Sequence, residues 1–459
     1  MTYRVVVIGG GPGGYVAAIR AAQMGAKVAL VEQDEVGGTC LNRGCIPTKA
    51  LVEGAATLHK IRRAAEFGIR LGEVTVNYAK LVERKDAVVK KLVAGVQYLL
   101  KKNKVDCLRG TAKLAGPGKV AVYLPEGGTM ELVAENIILA TGTRPAILET
   151  LGYDGHRVVT SNEALAWQTV PPSLLIIGGG VVGCEFACIF AEMGSQVTIA
   201  EAMPGILPMA DRDVARLLQT LLKRRGINIK TGVKITGVEK SGNLVTALLE
   251  GGETLQADKI LISVGRVMNT EGLGLEEAGV RLGQRGEVPV NEYLATEVPG
   301  IYAVGDITGK AQLAHLASAQ ALVAVDNILG QPRAMKYDLV PNCIFTAPEV
   351  AGVGLTVQQC EEKGIKPKVG KFPFMASGKA AAMGETDGFV KILADPATDK
   401  VLGVHIIGPH ATDLIAEAAL AMELGATVGQ ISRVIHAHPT LAESFLEAAE
   451  AVHGRAIHI

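Results

Sequence analysis

The chain of 459 residues is long enough for about two to four domains. It carries 46 basic and 46 acidic residues, and its zero formal net charge excludes the electrostatic footprint of a protein that binds nucleic acid or an anionic membrane. Seven cysteines, an odd number over a long chain, are not typical of a secreted disulfide framework. Because no basic leader precedes the first predicted strand, we expect a cytoplasmic protein that does not cross a membrane.

A strand, a glycine-rich turn and a helix are predicted at the start of the chain. The apolar run Tyr3–Ile8 is followed by Gly9, Gly11 and Gly14 in the pattern G-x-G-x-x-G, and Glu32 stands further along. In this pattern the glycines permit a tight turn, close approach of a pyrophosphate and helix–strand packing. The helix N-terminus binds the phosphates, and the acidic residue accepts a hydrogen bond from a ribose hydroxyl. The segment therefore predicts a dinucleotide site.

A close pair of cysteines follows this unit. Cys40 and Cys45 are five residues apart, which in a regular α-helix places their Cα atoms about 8–9 Å from each other. A disulfide requires less than roughly 7 Å, and Gly44 and Pro47 are residues that permit the necessary helix distortion. Because a helix N-terminus lowers the pKa of a thiol, the pair predicts a redox-active disulfide. The alternatives are two buried free thiols or a metal site, although zinc needs further ligands and no second Cys/His pair lies nearby.

The glycine pattern occurs a second time, after another apolar run. Gly178, Gly180 and Gly183 repeat the first motif, and Glu201 stands at the same spacing as the earlier glutamate. Two copies with matched acidic residues favour two dinucleotide sites over two ordinary tight turns. A carboxylate at Glu201 favours a free ribose hydroxyl and repels a phosphate, so we expect NAD rather than NADP.

Three further apolar runs end in small or polar turn residues. These residues are Thr141 with Gly142, Gly265 with Arg266, and Gly305 with Asp306. An aspartate at a strand end suits binding of a polyol chain such as the ribityl group of FAD. The alternative is a simple turn, in which Gly-Asp pairs are common.

A candidate general base lies near the C-terminus, where His438 directly precedes Pro439. Because proline is favoured at the first helical position, we expect Pro439 to begin a helix that holds His438 at its start. Glu443 could bond one imidazole nitrogen and leave the other free to act as a base. His436 is a rival candidate, and a purely structural histidine is the alternative.

These motifs resemble the flavoprotein disulfide reductase family over the whole chain. The segments that carry the resemblance are Cys40-Leu-Asn-Arg-Gly-Cys-Ile-Pro-Thr-Lys49 and His436-Ala-His-Pro-Thr-Leu441. The resemblance implies an α/β fold with two Rossmann-like dinucleotide-binding domains plus a C-terminal α+β dimerisation domain. The implied domains are an FAD-binding domain in two parts (1–148 and 270–335), an NAD-binding domain (149–269) and a dimerisation domain (336–459).

The resemblance also implies which residues form the sites. For FAD they are Gly9, Gly11, Gly14, Glu32, Lys49, Thr141, Gly142, Gly305 and Asp306. For NAD they are Gly178, Gly180, Gly183, Glu185, Glu201, Gly265 and Arg266. The implied catalytic residues are Cys40, which exchanges with substrate, Cys45, which contacts the flavin, Lys49, His438 and Glu443, and no metal is expected. Lys49 and Glu185 are implied to pair where the nicotinamide meets the flavin; the alternative is an ordinary surface lysine and glutamate.

Partner proteins are expected on the same basis. The resemblance implies a homodimer in which His438 serves the site of the other subunit. It also implies a dihydrolipoyl substrate carried by an acyltransferase or a lipoyl carrier protein of a 2-oxoacid dehydrogenase-type complex, with no nucleic acid and no membrane. Two alternatives stay open. One is a related FAD-dependent NAD(P)H reductase of another disulfide or of a metal ion, and the other is a non-catalytic assembly subunit.

Overall fold

The computed structural model describes residues 2–459, and the first part of the chain builds a sheet with helices packed on it. Its elements are β1 (Thr2–Ile8), α1 (Pro12–Gln23), β2 (Val28–Glu32), α2 (Gly38–Arg43), α3 (Cys45–Arg62), α4 (Tyr78–Lys102), β3 (Asp106–Arg109), β4 (Thr111–Leu114), β5 (Lys119–Tyr123), β6 (Thr129–Leu139) and β7 (Thr143–Pro145). Strands β3, β2, β1 and β6 pair in parallel in that order, as expected of a dinucleotide-binding unit. Strands β5 and β4 extend the sheet in antiparallel fashion.

The second part of the chain repeats the parallel arrangement. Its elements are β8 (Val158–Val159), α5 (Ser161–Ala164), β9 (Ser173–Ile177), α6 (Val181–Glu192), β10 (Gln196–Glu201), α7 (Arg212–Arg224), β11 (Asn228–Thr231), β12 (Ile235–Ser241), β13 (Leu244–Leu249), β14 (Thr254–Ala257), β15 (Lys259–Ile262) and β16 (Arg266–Met268). Strands β11, β10, β9, β15 and β8 form a sheet in which every pair is parallel. Strands β12 to β14 form a separate antiparallel sheet, and β16 pairs with β7.

The chain then returns to the first sheet. Strand β17 (Ile301–Ala303) pairs in parallel with β6, and helix α8 (Ala314–Ile328) packs against α1. Two distant stretches of sequence therefore share one sheet. On this ground we propose that residues 1–148 and 270–335 form one domain and that residues 149–269 are inserted between them.

The C-terminal part is an antiparallel sheet with helices beside it. Its elements are β18 (Asn342–Ile344), β19 (Glu349–Gly354), α9 (Val357–Glu362), β20 (Lys368–Pro373), α10 (Gly378–Met383), β21 (Phe389–Ala394), β22 (Val401–Gly408), α11 (Ala411–Glu423), α12 (Val428–Ile431) and α13 (Glu443–Val452). The strand order is β18-β19-β22-β21-β20, and α11 and α13 bury apolar faces against it. The expected fold class, two Rossmann-like units plus a C-terminal α+β domain, is thereby confirmed.

The three parts share a hydrophobic core where the site forms. Leu51 of α3 packs in one buried cluster with Phe186 and Phe190 of α6, and Ile344 of β18 belongs to the same cluster. This packing places the helix that carries Cys45 beside the second unit and the C-terminal sheet. No helix within residues 2–459 is long and apolar enough to cross a membrane.

Candidate active site

Both glycine motifs form the same tight turn. Gly9 and Gly178, the first glycine of each motif, have φ of +100° and +108°, a region that non-glycine residues rarely adopt. The third glycine of each motif lies against the first. A Cβ atom at Gly14 would sit 1.7 Å from the carbonyl oxygen of Gly9, and one at Gly183 would sit 2.0 Å from that of Gly178. Only glycine allows helix and strand to approach this closely, as the sequence predicts.

The acidic residues of the two motifs also make matching contacts. The Glu32 carboxylate accepts a hydrogen bond from the Gly10 N–H at 2.6 Å, and the Glu201 carboxylate accepts one from the Gly179 N–H at 2.6 Å. Burial raises the pKa of Glu32, while the bond from Gly10 opposes that rise. Each carboxylate is therefore held at the edge of its glycine turn, which is the position required to bond a ribose hydroxyl.

Room for a pyrophosphate lies at the start of the helix that follows each turn. Helix α1 is capped by Gly11 and helix α6 by Gly180, and neither cap is filled by a side-chain hydrogen bond. A Cβ atom at Gly180 would meet nothing within 4 Å, and one at Gly11 would meet only the Cα of Gly38, at 3.8 Å. Free helical N–H groups beside open space fit the binding of phosphate oxygens. Beside Glu32, a cavity of about 640 Å³ opens between β2, β3 and the C-terminal end of α4.

Asp306 lies in a buried polar cluster whose members are far apart in sequence. Its carboxylate accepts a hydrogen bond from the Thr143 hydroxyl at 2.7 Å, and burial raises its pKa. Arg266 donates to the Thr143 hydroxyl at 2.7 Å and to the Thr143 carbonyl at 2.8 Å. The resemblance implied that Arg266 belongs with NAD, and its guanidinium bonds Thr143 of the first part of the chain. Because β16 pairs with β7, the side chain of Arg266 points toward Thr143 and Asp306.

The other predicted turn residues form hydrogen bonds with residues that are distant in sequence or lie on another element. Asn269 donates its N–H to the Gly142 carbonyl at 2.9 Å, and the Thr141 hydroxyl donates to the Asn269 carbonyl at 2.7 Å. The Gly305 N–H donates to the side-chain oxygen of Gln320 at 2.6 Å. Gly265 follows β15 close to the second glycine turn, because Ser263 and Val264 lie against Gly178. Whether these residues contact a cofactor stays a prediction.

The cysteine segment is not one helix, as the spacing argument requires. Helix α2 ends at Arg43, Gly44 leaves the helical conformation with φ −143° and ψ −113°, and Cys45 begins helix α3. A Cβ atom at Gly44 would lie 2.8 Å from the Thr39 carbonyl oxygen, so a glycine is needed at the break. Pro47 does not bend α3, because it stands in the first helical turn, where a missing N–H costs nothing. The break at Gly44 brings the two sulfur atoms within reach of each other.

The two thiols have different acidities. The neighbouring Cys40 thiol and the positive charge of Lys49 lower the pKa of Cys45 to about 7, against the effect of burial. The neighbouring Cys45 thiol, followed by burial, raises the pKa of Cys40. Cys45 is therefore the more acidic thiol of the reduced pair and ionises first, as pH rises through about 7.

Lys49 and Glu185 form the pair that the resemblance implied. The Lys49 ammonium lies 2.8 and 2.9 Å from the two carboxylate oxygens of Glu185, whose side chain is only 4% exposed. The C-terminal part of the chain also reaches this pair. The Phe345 N–H donates to a Glu185 oxygen at 2.9 Å, and the Lys49 nitrogen lies 4.5 Å from the centroid of the Phe345 ring.

His438 and Glu443 are hydrogen bonded, with 2.8 Å between Nδ1 and the carboxylate. The His438 side chain is 78% exposed, which leaves Nε2 free to accept a proton. His436 is instead 4% exposed, and its two ring nitrogens face Val434 and Glu417, so the geometry favours His438 as the base.

The expectation that Pro439 begins a helix is wrong. Helix α13 begins only at Glu443, and the His438–Pro439 peptide is cis. A side-chain-bonded turn occupies the intervening residues instead. The Thr440 N–H donates to Glu443 at 2.8 Å, and the Thr440 hydroxyl donates to the Ala437 carbonyl at 2.7 Å. His438 is held by this turn, so the helix start supports it only through Glu443.

The structure does not bring all predicted catalytic residues together. Within residues 2–459 neither His438 nor Glu443 forms a hydrogen bond or ion pair with Cys40 or Cys45. Sequence reasoning also missed residues that the fold places near the cysteines. Burial is the main cause of the raised pKa of Tyr15, and the nearby Cys40 sulfur raises it further. Tyr15 directly follows the first glycine motif, but no local pattern distinguishes it from a packing residue.

The glycine turns and the thiol pair define a nucleotide-dependent thiol–disulfide oxidoreductase, and comparison with known proteins agrees. Residues 3–321 match the pyridine nucleotide-disulphide oxidoreductase family, and residues 340–449 match the dimerisation domain of that family. The chain belongs to this family. Its cofactors are FAD and NAD, and it is an enzyme.

Curated relatives and solved structures narrow the class. The chain is 47% identical over 464 residues to a dihydrolipoyl dehydrogenase of Thermus scotoductus, covering 100% of this chain and 99% of that one. It is 45% identical over 473 residues to a dihydrolipoyl dehydrogenase of Bacillus subtilis, covering 99% of both chains. The crystal structure of LpdA from Mycobacterium tuberculosis is similar with a TM-score of 0.93 at 29% identity, covering 97% of this chain and 99% of that one.

Proposed function

We propose that the chain acts as a dihydrolipoyl dehydrogenase, which oxidises protein-bound dihydrolipoyl groups to lipoyl groups and reduces NAD+ to NADH. The observation that carries this proposal is the position of the Cys40–Cys45 pair. It follows the first unit of strand, glycine turn, helix and strand, and Lys49 and Glu185 join it to the helix of the second unit. Relatives that align over the full length of the chain support the same reaction.

The residues of the two units fit the two cofactors. We propose that Gly9, Gly11, Gly14 and Glu32 hold FAD, together with Lys49, Thr141, Gly142, Gly305 and Asp306. We propose that Gly178, Gly180, Gly183 and Glu201 hold NAD, together with Glu185, Gly265 and Arg266. When bound, the flavin supplies two-electron transfer between the thiol pair and the nicotinamide.

A general base is required because a thiol, unlike a thiolate, does not attack a disulfide. We propose that His438 Nε2 removes the proton from the substrate thiol. Glu443 holds Nδ1 and stabilises the imidazolium that forms. Burial raises the pKa of Glu443, but the hydrogen bonds from the Thr440 N–H and from His438 outweigh burial and lower it. Glu443 therefore stays ionised at neutral pH.

The unequal acidities of the cysteines suit an exchange in which each sulfur has one task. The substrate thiolate attacks Cys40, the Cys40–Cys45 bond breaks, and Cys45 leaves as a thiolate. A low pKa makes Cys45 the better leaving group. The second substrate thiol then loses its proton toward the departing Cys40 sulfur and, as a thiolate, attacks the mixed disulfide, which closes the lipoyl ring. Cys40 departs and takes up a proton, as its raised pKa requires.

We propose a homodimer in which the partner subunit's His438 serves the cysteines of this chain. The match to a dimerisation domain supports this arrangement, and so does the exposure of His438 away from Cys40 and Cys45. Large apolar side chains near His438 are exposed to a degree unusual for a free surface: Leu420, Leu424, Val434 and Ile435.

A lipoyl-bearing acyltransferase or lipoyl carrier protein is the proposed substrate carrier. A thiol pair that cycles through its reduced form suits the cytoplasm.

Anaerobic titration of the purified enzyme with dihydrolipoamide tests the function. We expect a long-wavelength absorption band, from charge transfer between the Cys45 thiolate and the flavin, that is complete at two electrons per flavin. Direct bleaching of the flavin with no such band would contradict the proposed role of the cysteines. A colourless protein without flavin absorption would instead support a non-catalytic assembly subunit.

A substrate panel separates the proposed reaction from its enzymatic alternative. One solved neighbour is a Cu(II) complex of a flavoprotein disulfide reductase from Escherichia coli, 30% identical with a TM-score of 0.90 over 98% of this chain and 99% of that one. We expect fast reduction of lipoamide with NADH, and slow turnover with NADPH, glutathione disulfide or Cu(II). Faster turnover with Cu(II) or glutathione disulfide would favour a related reductase.

A further inference from the structure

The Lys49–Glu185 pair is held by a third residue from a different part of the chain. Glu185 lies on α6 of the second unit, Lys49 lies on α3 beside the cysteines, and Phe345 directly follows β18 of the C-terminal sheet. Phe345 contacts both charges. Its backbone N–H bonds a Glu185 oxygen at 2.9 Å, and its ring centroid lies 4.5 Å from the Lys49 nitrogen. Three segments that are distant in sequence thus meet at one ion pair.

Each of these contacts limits a specific movement. The Lys49 side chain is 29% exposed, so its ammonium has room to turn toward water unless a partner holds it. Glu185 provides one such partner, and the face of the Phe345 ring provides the second by a cation–π contact. The Phe345 N–H in turn satisfies a carboxylate oxygen that is buried away from water. Lys49 and Glu185 therefore have one preferred arrangement.

That arrangement matters because the two charges act on Cys45 in opposite senses. The positive charge of Lys49 stabilises the Cys45 thiolate, whereas the negative charge of Glu185 opposes it. The other groups that act on this sulfur are the neighbouring Cys40 thiol, which has the largest effect, and the Arg266 guanidinium. The thiolate is thus sensitive to small changes in the position of the Lys49 nitrogen.

We propose that Phe345 is a positioning residue, whose ring and backbone N–H hold Lys49 and Glu185 in the arrangement that stabilises the Cys45 thiolate. This inference rests on the proposed function, in which Cys45 is the thiolate next to the flavin. It adds that the C-terminal sheet takes part in the electron-transfer site of its own chain. Loss of the ring would leave Glu185 as the remaining partner of the Lys49 ammonium, which would then move more freely, and its average attraction for the Cys45 sulfur would weaken.

The test uses the FAD-loaded Cys40→Ser enzyme, in which Cys45 is the one remaining thiol of the pair. The pH midpoint of its thiolate–flavin absorption band measures the acidity of Cys45 without turnover. Adding Phe345→Leu should raise this midpoint by about 0.3 to 0.7 pH unit, which is the size of one partly exposed cation–π contact. Phe345→Tyr keeps the ring and the backbone N–H, so it should restore the midpoint of the parent.

A double-mutant cycle separates positioning from a general structural role. Lys49→Met removes the charge and should raise the midpoint, and Phe345→Leu should then add nothing further. If Phe345→Leu fails to retain FAD, Phe345→Met, which is closer in volume and unbranched, takes its place in the cycle. Equal midpoints in the parent and the Phe345→Leu enzyme would overturn the proposal, as would an equal added shift in the Lys49→Met background. Absence of any band in the Cys40→Ser parent would overturn the proposed function, and with it this inference.

Discussion

The first and second glycine turns are near copies, but different segments cover them. In the first turn the Gly10 carbonyl accepts a hydrogen bond from the Gly37 N–H at 2.8 Å. In the second turn the matching Gly179 carbonyl accepts one from the Leu207 N–H at 2.9 Å. We call residues 33–39 the first cover and residues 202–211 the second cover. The first cover leads straight into the cysteine pair, whereas the second leads into α7.

The two covers are also anchored differently. The first cover is joined to α2 by an ion pair between Asp34 and Arg43, both about half exposed. The second cover ends at Asp211, which bonds Lys391 of the C-terminal sheet at 2.8 Å, and both side chains are buried. The two glycine turns are therefore alike, whereas the segment that covers each turn determines which side chains lie beside the nucleotide site.

The largest expected effect is a loss of dihydrolipoamide turnover that leaves the reaction with NADH unchanged. His438→Ala removes the base, so turnover of dihydrolipoamide should fall by about 10²- to 10⁴-fold. Reduction of the flavin by NADH should stay close to the wild-type rate, because the second unit is unchanged. Steady-state and stopped-flow absorbance measure the two reactions. His436→Gln, two residues away, is the matched control and should keep most of the activity. Wild-type turnover in His438→Ala would refute the assignment of the base.

The anchors of the two covers should differ in their contribution to stability. Lys391→Met leaves the buried carboxylate of Asp211 unpaired and should lower the free energy of unfolding by about 3–5 kcal/mol. Arg43→Met breaks the exposed pair of the first cover and should cost less than about 1 kcal/mol. Urea unfolding followed by circular dichroism measures both. Addition of Asp211→Asn to Lys391→Met should recover part of the loss. Similar costs for the two single variants would remove this difference between the covers.

Substitution of the third glycine should affect one nucleotide at a time. A Cβ atom at Gly14 or Gly183 would overlap the carbonyl of the preceding turn, and overpacking of this kind costs about 1–3 kcal/mol. Gly14→Ala should therefore weaken FAD binding by about 10- to 100-fold, and Gly183→Ala should weaken NAD+ binding similarly while FAD is retained. The ratio of flavin to protein and the KM for NAD+ measure the two effects.

The control for these variants is Gly95→Ala, because Gly95 lies within α4 and has open space around it. It should bind both nucleotides normally. Loss of FAD from Gly183→Ala would show that the two units do not bind their nucleotides independently.

The thiols on α3 and on α6 should differ in acidity. The Cys45 pKa of about 7 lies below the ordinary value near 9, so the thiolate–flavin band should grow as pH rises through about 7. On α6, burial raises the pKa of Cys188 to about 11 and that of Cys184 well above its ordinary value. Both should resist iodoacetamide at about pH 8, as peptide mass spectrometry would show. A band midpoint near 9 would contradict the unequal acidities of the cysteine pair.

Sequence reasoning succeeded where contacts are local. The glycine turns, their glutamates and the break at Gly44 all depend on residues within about thirty positions, and G-x-G-x-x-G spacing reflects backbone geometry directly. The prediction of a helix at Pro439 was wrong, although it also rested on local sequence. Its preference for the first helical position was overridden by the bonds of Thr440 to Glu443 and Ala437, which hold a turn in that place. A preference of one residue is a weaker signal than a pattern fixed by close packing.

The amino-acid sequence predicts two dinucleotide units, a distorted cysteine pair and a histidine with an acidic partner, because each is encoded by neighbours along the chain. How these parts combine depends on tertiary contacts. Lys49 meets Glu185 across 136 residues, and Phe345 reaches Glu185 across 160. Arg266 bonds Thr143 because strands from two parts of the chain pair. Such contacts depend on how separate sheets and helices pack, and no spacing within a single segment records that packing.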